Sequence, residues 1–160
     1  EFVTRKISSQ LAEVVKGVRG HIELGNFSSV RDWGYAPDYV EAMLMIAEDG
    51  ARDDYVVATN TICTVRDFLK IVAEELGFSP EFEGEGESER CIDRKTNRVI
   101  AKVSAKYYRP SDVTFLRGKH DKISTELGWK PTVLFEDLAG IMARSDIDLL
   151  SSDNRGMNNF

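Results

Sequence analysis

Apolar positions recur at helical spacing from Val3 to Val18, at Val3, Ile7, Leu11, Val14, Val15 and Val18. Gly17 and Gly20 end that pattern, and "HIELGN" then predicts a short strand stopping at a Gly25-Asn26 turn. Pro37 suits a first helical turn, and Asp38 suits the positive end of the helix dipole. Tyr39, Val40, Met43, Leu44, Ile46 and Ala47 are the predicted buried stripe of this second helix, with Gly50 just beyond it. "YVVAT", Tyr55 to Thr59, is a continuous apolar run between polar residues, the pattern of a strand buried on both faces. A third helix starts at Thr64 with Asp67 as a capping-box partner, runs through Phe68, Leu69, Ile71, Val72 and Leu76, and closes at Gly77. Strand, turn and helix together make one unit of a layered α/β fold.

The middle of the chain changes character. "EFEGEGESER" interleaves glutamates with two glycines and reads as a solvated loop. "RCIDRKTNRVIAKVS" predicts a β-hairpin turning at Lys95-Thr96-Asn97. Pro110 breaks "YYRPSDV"; a helix ends at Leu127-Gly128, "GWKPT" turns, and a last helix runs from about Phe135 to Ala143 or beyond. Residues 1–150 form the expected domain, and 151–160 a polar tail expected to be frayed.

Composition narrows the classes. The chain has 160 residues, 42% of them hydrophobic and 30% charged, enough for one domain with a real core. No apolar run approaches the ~20 residues of a membrane span, and no signal peptide opens the chain, so a cytoplasmic protein without a membrane partner is expected. Glu-Phe-Val at the start, with no initiator Met, reads as a sequence joined midway. Cys63 and Cys91 have no metal-type spacing and read as reduced thiols. The net charge of −6 argues against nucleic acid as a partner, although a few placed cations could still hold a small anion.

His21 and His120 lack ligand-spaced partners, so no metal site is expected. No serine sits in a nucleophile elbow. A phosphate-cradling loop needs close glycines between a strand and a helix; Gly17, Gly20 and Gly25 instead follow a helix and flank a strand, and Gly84-Glu85-Gly86 is acidic. The densest local chemistry lies in "LGNFSSVRDWGYAPDYVEAM", where Arg31 precedes Asp-Trp-Gly. Lys6, Arg31 and Arg109 all sit beside unusual local sequence; Pro110 favours extended backbone at Arg109, and Asp112 follows. Arginines fork onto diphosphates and carboxylates accept from ribose or guanine, but a surface Arg–Asp pair has the same spacing.

The stretches "FVTRKIS", "LGN", "RDWG", "DYVEAM", "TVRDF", "FEGEG", "YYRPSDV", "LGWKP" and "FEDL", in this order from Phe2 to about Asp148, resemble the C-terminal half of the GDP-mannose 4,6-dehydratase family. These are NADP-dependent extended short-chain dehydrogenase/reductases. The resemblance implies an α/β fold: a C-terminal substrate-binding part of mixed helices, short strands and a β-hairpin, lacking most of the Rossmann domain. It implies conversion of GDP-mannose to GDP-4-keto-6-deoxymannose by internal redox and loss of water, a step towards GDP-fucose. It also implies that Val3, Lys6, Leu24, Gly25, Arg31, Val65, Arg109 and Asp112 surround the GDP: the cations at the diphosphate, the apolar residues at the base, and Asp112 accepting hydrogen bonds.

In the family the Gly-rich loop for NADP and the catalytic Tyr and Lys belong to the preceding half, so no catalytic residue is assigned to these residues. The chain alone is then expected to be inactive, with an N-terminal nucleotide-binding half as partner and a homo-oligomer as the complete enzyme. Exposure of the face that half would cover predicts self-association. The alternatives are a related nucleotide-sugar reductase or epimerase, or a non-catalytic nucleotide-binding fragment. The chain departs from the family pattern at Asp112, where Glu is usual, at Gly118-Lys119, and at Tyr35-Ala36-Pro37 after "RDWG".

Overall fold

The computed structural model describes residues 2–50, 53–109 and 115–156. In order the elements are α1 (Val3–Val15), β1 (Ile22–Leu24), β2 (Val30–Arg31), α2 (Ala36–Asp49), β3 (Cys63–Thr64) and α3 (Val65–Glu75). There follow β4 (Pro80–Glu83), a 3₁₀ turn at Gly86–Ser88, β5 (Arg90–Asp93), β6 (Arg98–Val103), α4 (Asp121–Glu126) and α5 (Phe135–Gly156).

A four-stranded sheet of order β1-β6-β5-β4 carries one face of helices. β1 and β6 run parallel with Leu24 opposite Val103, whereas β4, β5 and β6 are antiparallel. The hairpin turns where expected: Asp93 accepts from the Oγ1 of Thr96 at 2.7 Å, and Asn97 takes the left-handed φ of 54°. Helices α1, α3 and α5 bury Ile7, Leu11, Phe68, Leu69, Val72 and Ala139 against Ile22, Ile100 and Ala101 of the sheet. Trp33, Phe68 and Phe135 form a ring cluster with centroids 5.8–5.9 Å apart. The capping box at α3 is present in both directions between Thr64 and Asp67.

A second, smaller apolar cluster joins Ala42, Ile123 and Trp129, with Tyr39, Ile46, Tyr55 and Val57 partly buried against it. Its polar lock is Asp38, whose carboxylate accepts from the backbone N–H of Thr132 at 2.9 Å, from the Thr132 hydroxyl at 2.6 Å and from the N–H of Val133 at 3.2 Å. Burial alone would raise this carboxyl's pKa, but the hydrogen bonds from Thr132 and Val133 outweigh it and leave the pKa lowered.

Several expectations are corrected. "EFEG" is not loop but edge strand β4: Phe82 turns inward, edge-on to Phe27, while Glu83 and Glu81 face out to Arg90 and Arg94 across the pair. "YVVAT" forms no strand: it has no regular secondary structure and joins neither sheet. Side chains tie its backbone instead: Thr59 N–H donates to Asp32 at 2.9 Å, and the Nδ1 of His120 lies 2.8 Å from the carbonyl of Ala58. On α2 the buried residues are Asp38 and Ala42, whereas Val40, Met43 and Leu44 of the predicted stripe are exposed. Helix α5 continues to Gly156, into the stretch read as a polar tail. Among the described residues no helix is long and apolar enough to cross a membrane.

Candidate functional site

The parallel strands β1 and β6 leave the sheet at the same edge, and both α1 and α3 begin there. Crevices at the carboxyl ends of parallel strands are where open α/β folds hold ligands. Here a cavity of about 420 Å³ opens at that edge. Helix α1 contributes Val3 and Lys6 with Phe2 just before it, and the end of β1 contributes Leu24 and Gly25. The loop beyond adds Asn26 and Ser29, β2 adds Arg31, α3 adds Val65, and the segment after β6 adds Tyr107 and Arg109.

Val3, Lys6, Leu24, Gly25, Arg31, Val65 and Arg109 are thus brought to one cavity although they lie far apart in sequence. Asp112, the remaining candidate, lies outside the described residues. Sequence reasoning did not assign Phe2, Asn26, Ser29 or Tyr107. Asn26 and Tyr107 sit inside the "LGN" and "YYRP" stretches, so position in those motifs was the available signal.

The loop is held tightly. Asn26 Oδ1 accepts from the N–H of Ser28 at 2.8 Å, and the carbonyls of Phe27 and Ser29 accept from the first N–H groups of α3, those of Arg66 and Val65, at 2.9 and 3.1 Å. Arg66 also pairs with the buried Glu89, tying the start of α3 to the sheet. Because the loop and the Thr64–Asp67 box consume the first amides of α3, that helix offers a dipole rather than open donors. Helix α1 differs: Phe2 provides no side-chain cap and its first turn holds no acidic residue, and Val3 and Lys6 of that end line the cavity.

Charge in the cavity opposes charge in the chain. The 160-residue chain carries −6, yet the described lining residues include Lys6, Arg31 and Arg109 and no carboxylate. The guanidinium of Arg31 is steadied by its own strand, one terminal nitrogen donating to the Val30 carbonyl at 2.8 Å. Phe2, Val3, Leu24 and Val65 form an apolar wall. Cations beside an apolar slot suit a ligand with a dianionic group and a flat or hydrophobic body.

Neither cysteine is an activated thiol. Cys63 stands opposite Arg31 in the β2–β3 pair, and burial, helped by Asp67, Glu136 and Asp32, pushes its thiol up to about 11. Cys91, fully buried in the sheet, is pushed up to about 12, chiefly by burial.

The fold is a mixed α/β arrangement of short strands and helices that solved structures of longer proteins share. The chain resembles the NADPH-complexed RMD of Pseudomonas aeruginosa with a TM-score of 0.72 at 17% identity, over 92% of this chain and 43% of that one. A dTDP-glucose 4,6-dehydratase of Bacillus anthracis, solved with NAD, matches with a TM-score of 0.61 at 16% identity, over 87% and 38%. These likenesses establish fold alone.

Sequence carries the assignment further. The family model for GDP-mannose 4,6 dehydratase matches residues 1–142, and the chain belongs to that family. The GDP-mannose 4,6 dehydratase of Homo sapiens is 39% identical over 152 residues, covering 95% of this chain and 41% of that protein. GDP-mannose 4,6 dehydratase 2 of Caenorhabditis elegans is 42% identical over 153 residues, covering 95% and 40%. The chain therefore spans about 40% of the length of these curated relatives.

Proposed function

We propose that this chain is the GDP-binding part of a GDP-mannose 4,6-dehydratase, and that its cavity grips the diphosphate between Arg31 and Arg109. The supporting observation is one cavity lined by Lys6, Arg31 and Arg109 with no described carboxylate, in a chain of net charge −6. Lys6 adds a point charge, while the planar guanidinium groups fix orientation. Val3, Leu24 and Val65 give the base its apolar slot, and Asp112 is assigned from the resemblance to accept from a hydroxyl or amide.

The complete protein would convert GDP-mannose to GDP-4-keto-6-deoxymannose. In this reading NADP belongs to the N-terminal half of the fold. Gly25 and Gly84 are closed by backbone of this chain, and Gly34 and Gly118 by its side chains. Gly17, Gly50, Gly77 and Gly128 are open but have left-handed φ at the ends of helices. None forms a phosphate cradle between strand and helix, so the cofactor is assigned to the N-terminal half of the fold and no chemical step to these residues. The exposed face of α2, with Val40, Met43 and Leu44, is the surface that such a half would cover.

Calorimetric titration of the chain with GDP, UDP and dTDP tests the binding role. GDP is expected to bind in preference to the pyrimidine nucleotides, whereas preference for UDP or dTDP would favour a related epimerase or reductase. Arg31→Ala and Arg109→Ala should each weaken GDP by about tenfold or more, as loss of hydrogen bonds to a charged group does. No heat with millimolar GDP would overturn the reading. For the activity, the chain joined to the N-terminal half of a relative should form the keto-deoxysugar from GDP-mannose with NADP.

A further inference from the structure

Tyr107 has no assigned role, yet it lines the main cavity and also a neighbouring one of about 260 Å³ that Lys6, Gln10, Arg19, His21 and Glu23 complete. Lys6 is the other residue common to both. Its Nζ sits 3.5 Å from the centroid of the Tyr107 ring, within cation–π range. The ring and the ammonium thus border both cavities. A lysine on the first turns of a helix has freely turning side-chain torsions, and nothing in α1 itself directs Lys6 towards the phosphate end.

The placement of Tyr107 is built into the backbone. The N–H of Ser104 donates to the Leu24 carbonyl at 2.9 Å, and the turn after it closes through Tyr107 and Tyr108 N–H to the Ser104 carbonyl at 2.9 and 3.0 Å. This brings the Tyr107 carbonyl against Gly25, where a Cβ would meet that oxygen at 2.6 Å. Any residue but glycine would force one of these two backbone segments to give way. The absent side chain at Gly25 thus serves close approach rather than an unusual φ.

We infer that Tyr107 is a positioning residue that holds the Lys6 ammonium at the wall of the main cavity through its ring face, and that Gly25 is glycine to let it do so. The inference rests on the GDP reading of the cavity. A ring face attracts an ammonium by its quadrupole and needs no hydroxyl, so phenylalanine should serve equally and an aliphatic residue should not.

The test uses the 160-residue chain and two readouts. In the free protein the Lys6 εCH₂ protons should show an upfield ring-current shift in the NMR spectrum, and Tyr107→Leu should abolish it. In GDP titrations Tyr107→Leu should weaken binding about threefold, the size of a partly exposed cation–π contact. Tyr107→Phe should rescue that loss, and Gly25→Ala should reproduce it. In a Lys6→Met background Tyr107→Leu should cost nothing further.

An unshifted Lys6 in the free wild-type chain overturns the inference without any variant having to fold. So does an equal loss from Tyr107→Leu with and without Lys6, or failure of Tyr107→Phe to rescue. A shifted Lys6 in a chain that ignores GDP overturns the nucleotide reading instead.

Discussion

Helices α2 and α3 carry comparable apolar content and meet different fates. Helix α3 buries Val65, Phe68, Leu69, Val72 and Ala73, whereas α2 buries Ala42 and the carboxylate of Asp38 and leaves Met43 at 65% exposure. The difference lies in neighbours. α3 is enclosed by α1, α5 and the sheet; α2 meets Trp129 and the Tyr55–Ala58 segment on one side and presents its other apolar side outward. A helix that is hydrophobic nearly all round belongs in an interior. The open side of α2 is the surface that the proposed N-terminal half would cover.

Each region has one tryptophan, Trp33 in the closed cluster and Trp129 in the open one, so the contrast can be read by fluorescence. The largest expected effect is Phe68→Ala. The ring is fully buried between Trp33 and Phe135, and its loss should cost about 3–5 kcal/mol in urea denaturation. Retention of wild-type stability would show that the enclosed cluster does not carry the fold.

Next comes Asp38→Ala, which strands the N–H groups of Thr132 and Val133 and should cost about 2 kcal/mol. Its pH dependence has a definite sign. The folded pKa of Asp38 is lowered, so its stabilisation is complete above the ordinary carboxylate pKa and is lost as pH falls through the lower folded value. The gap between wild type and variant, read on Trp129 in a Trp33→Phe background, should stay constant near neutrality and shrink below about pH 4. A gap unchanged down to pH 2 would mean that the hydrogen bonds do not favour the charged form.

The smallest effect on folding is expected from Leu44→Glu on the outer face of α2. Stability should move by no more than about 0.5 kcal/mol, the range for exposed sites. Self-association, measured by sedimentation, should nonetheless fall. A loss comparable to that of Phe68→Ala would show that the outer face is packed after all.

Local sequence determined a good deal of this molecule. The Ile7, Leu11 and Val14 part of the α1 stripe, the Thr64–Asp67 box, the hairpin around Asn97 and the glycines closing α1 and α2 were legible because each depends on residues a few positions apart; Val15 and Val18, read into the same stripe, are exposed. The family motifs also named Lys6, Arg31 and Arg109 before any geometry. The tertiary structure decided which apolar face of α2 is inside, that Phe82 makes "EFEG" a strand, and that "YVVAT" has no ladder here. It also decided that cations more than seventy residues apart share a cavity and that Tyr107 leans on Gly25. Periodicity records that a face is apolar, but burial, strand pairing and the meeting of charges depend on what lies opposite, and that is set by long-range packing.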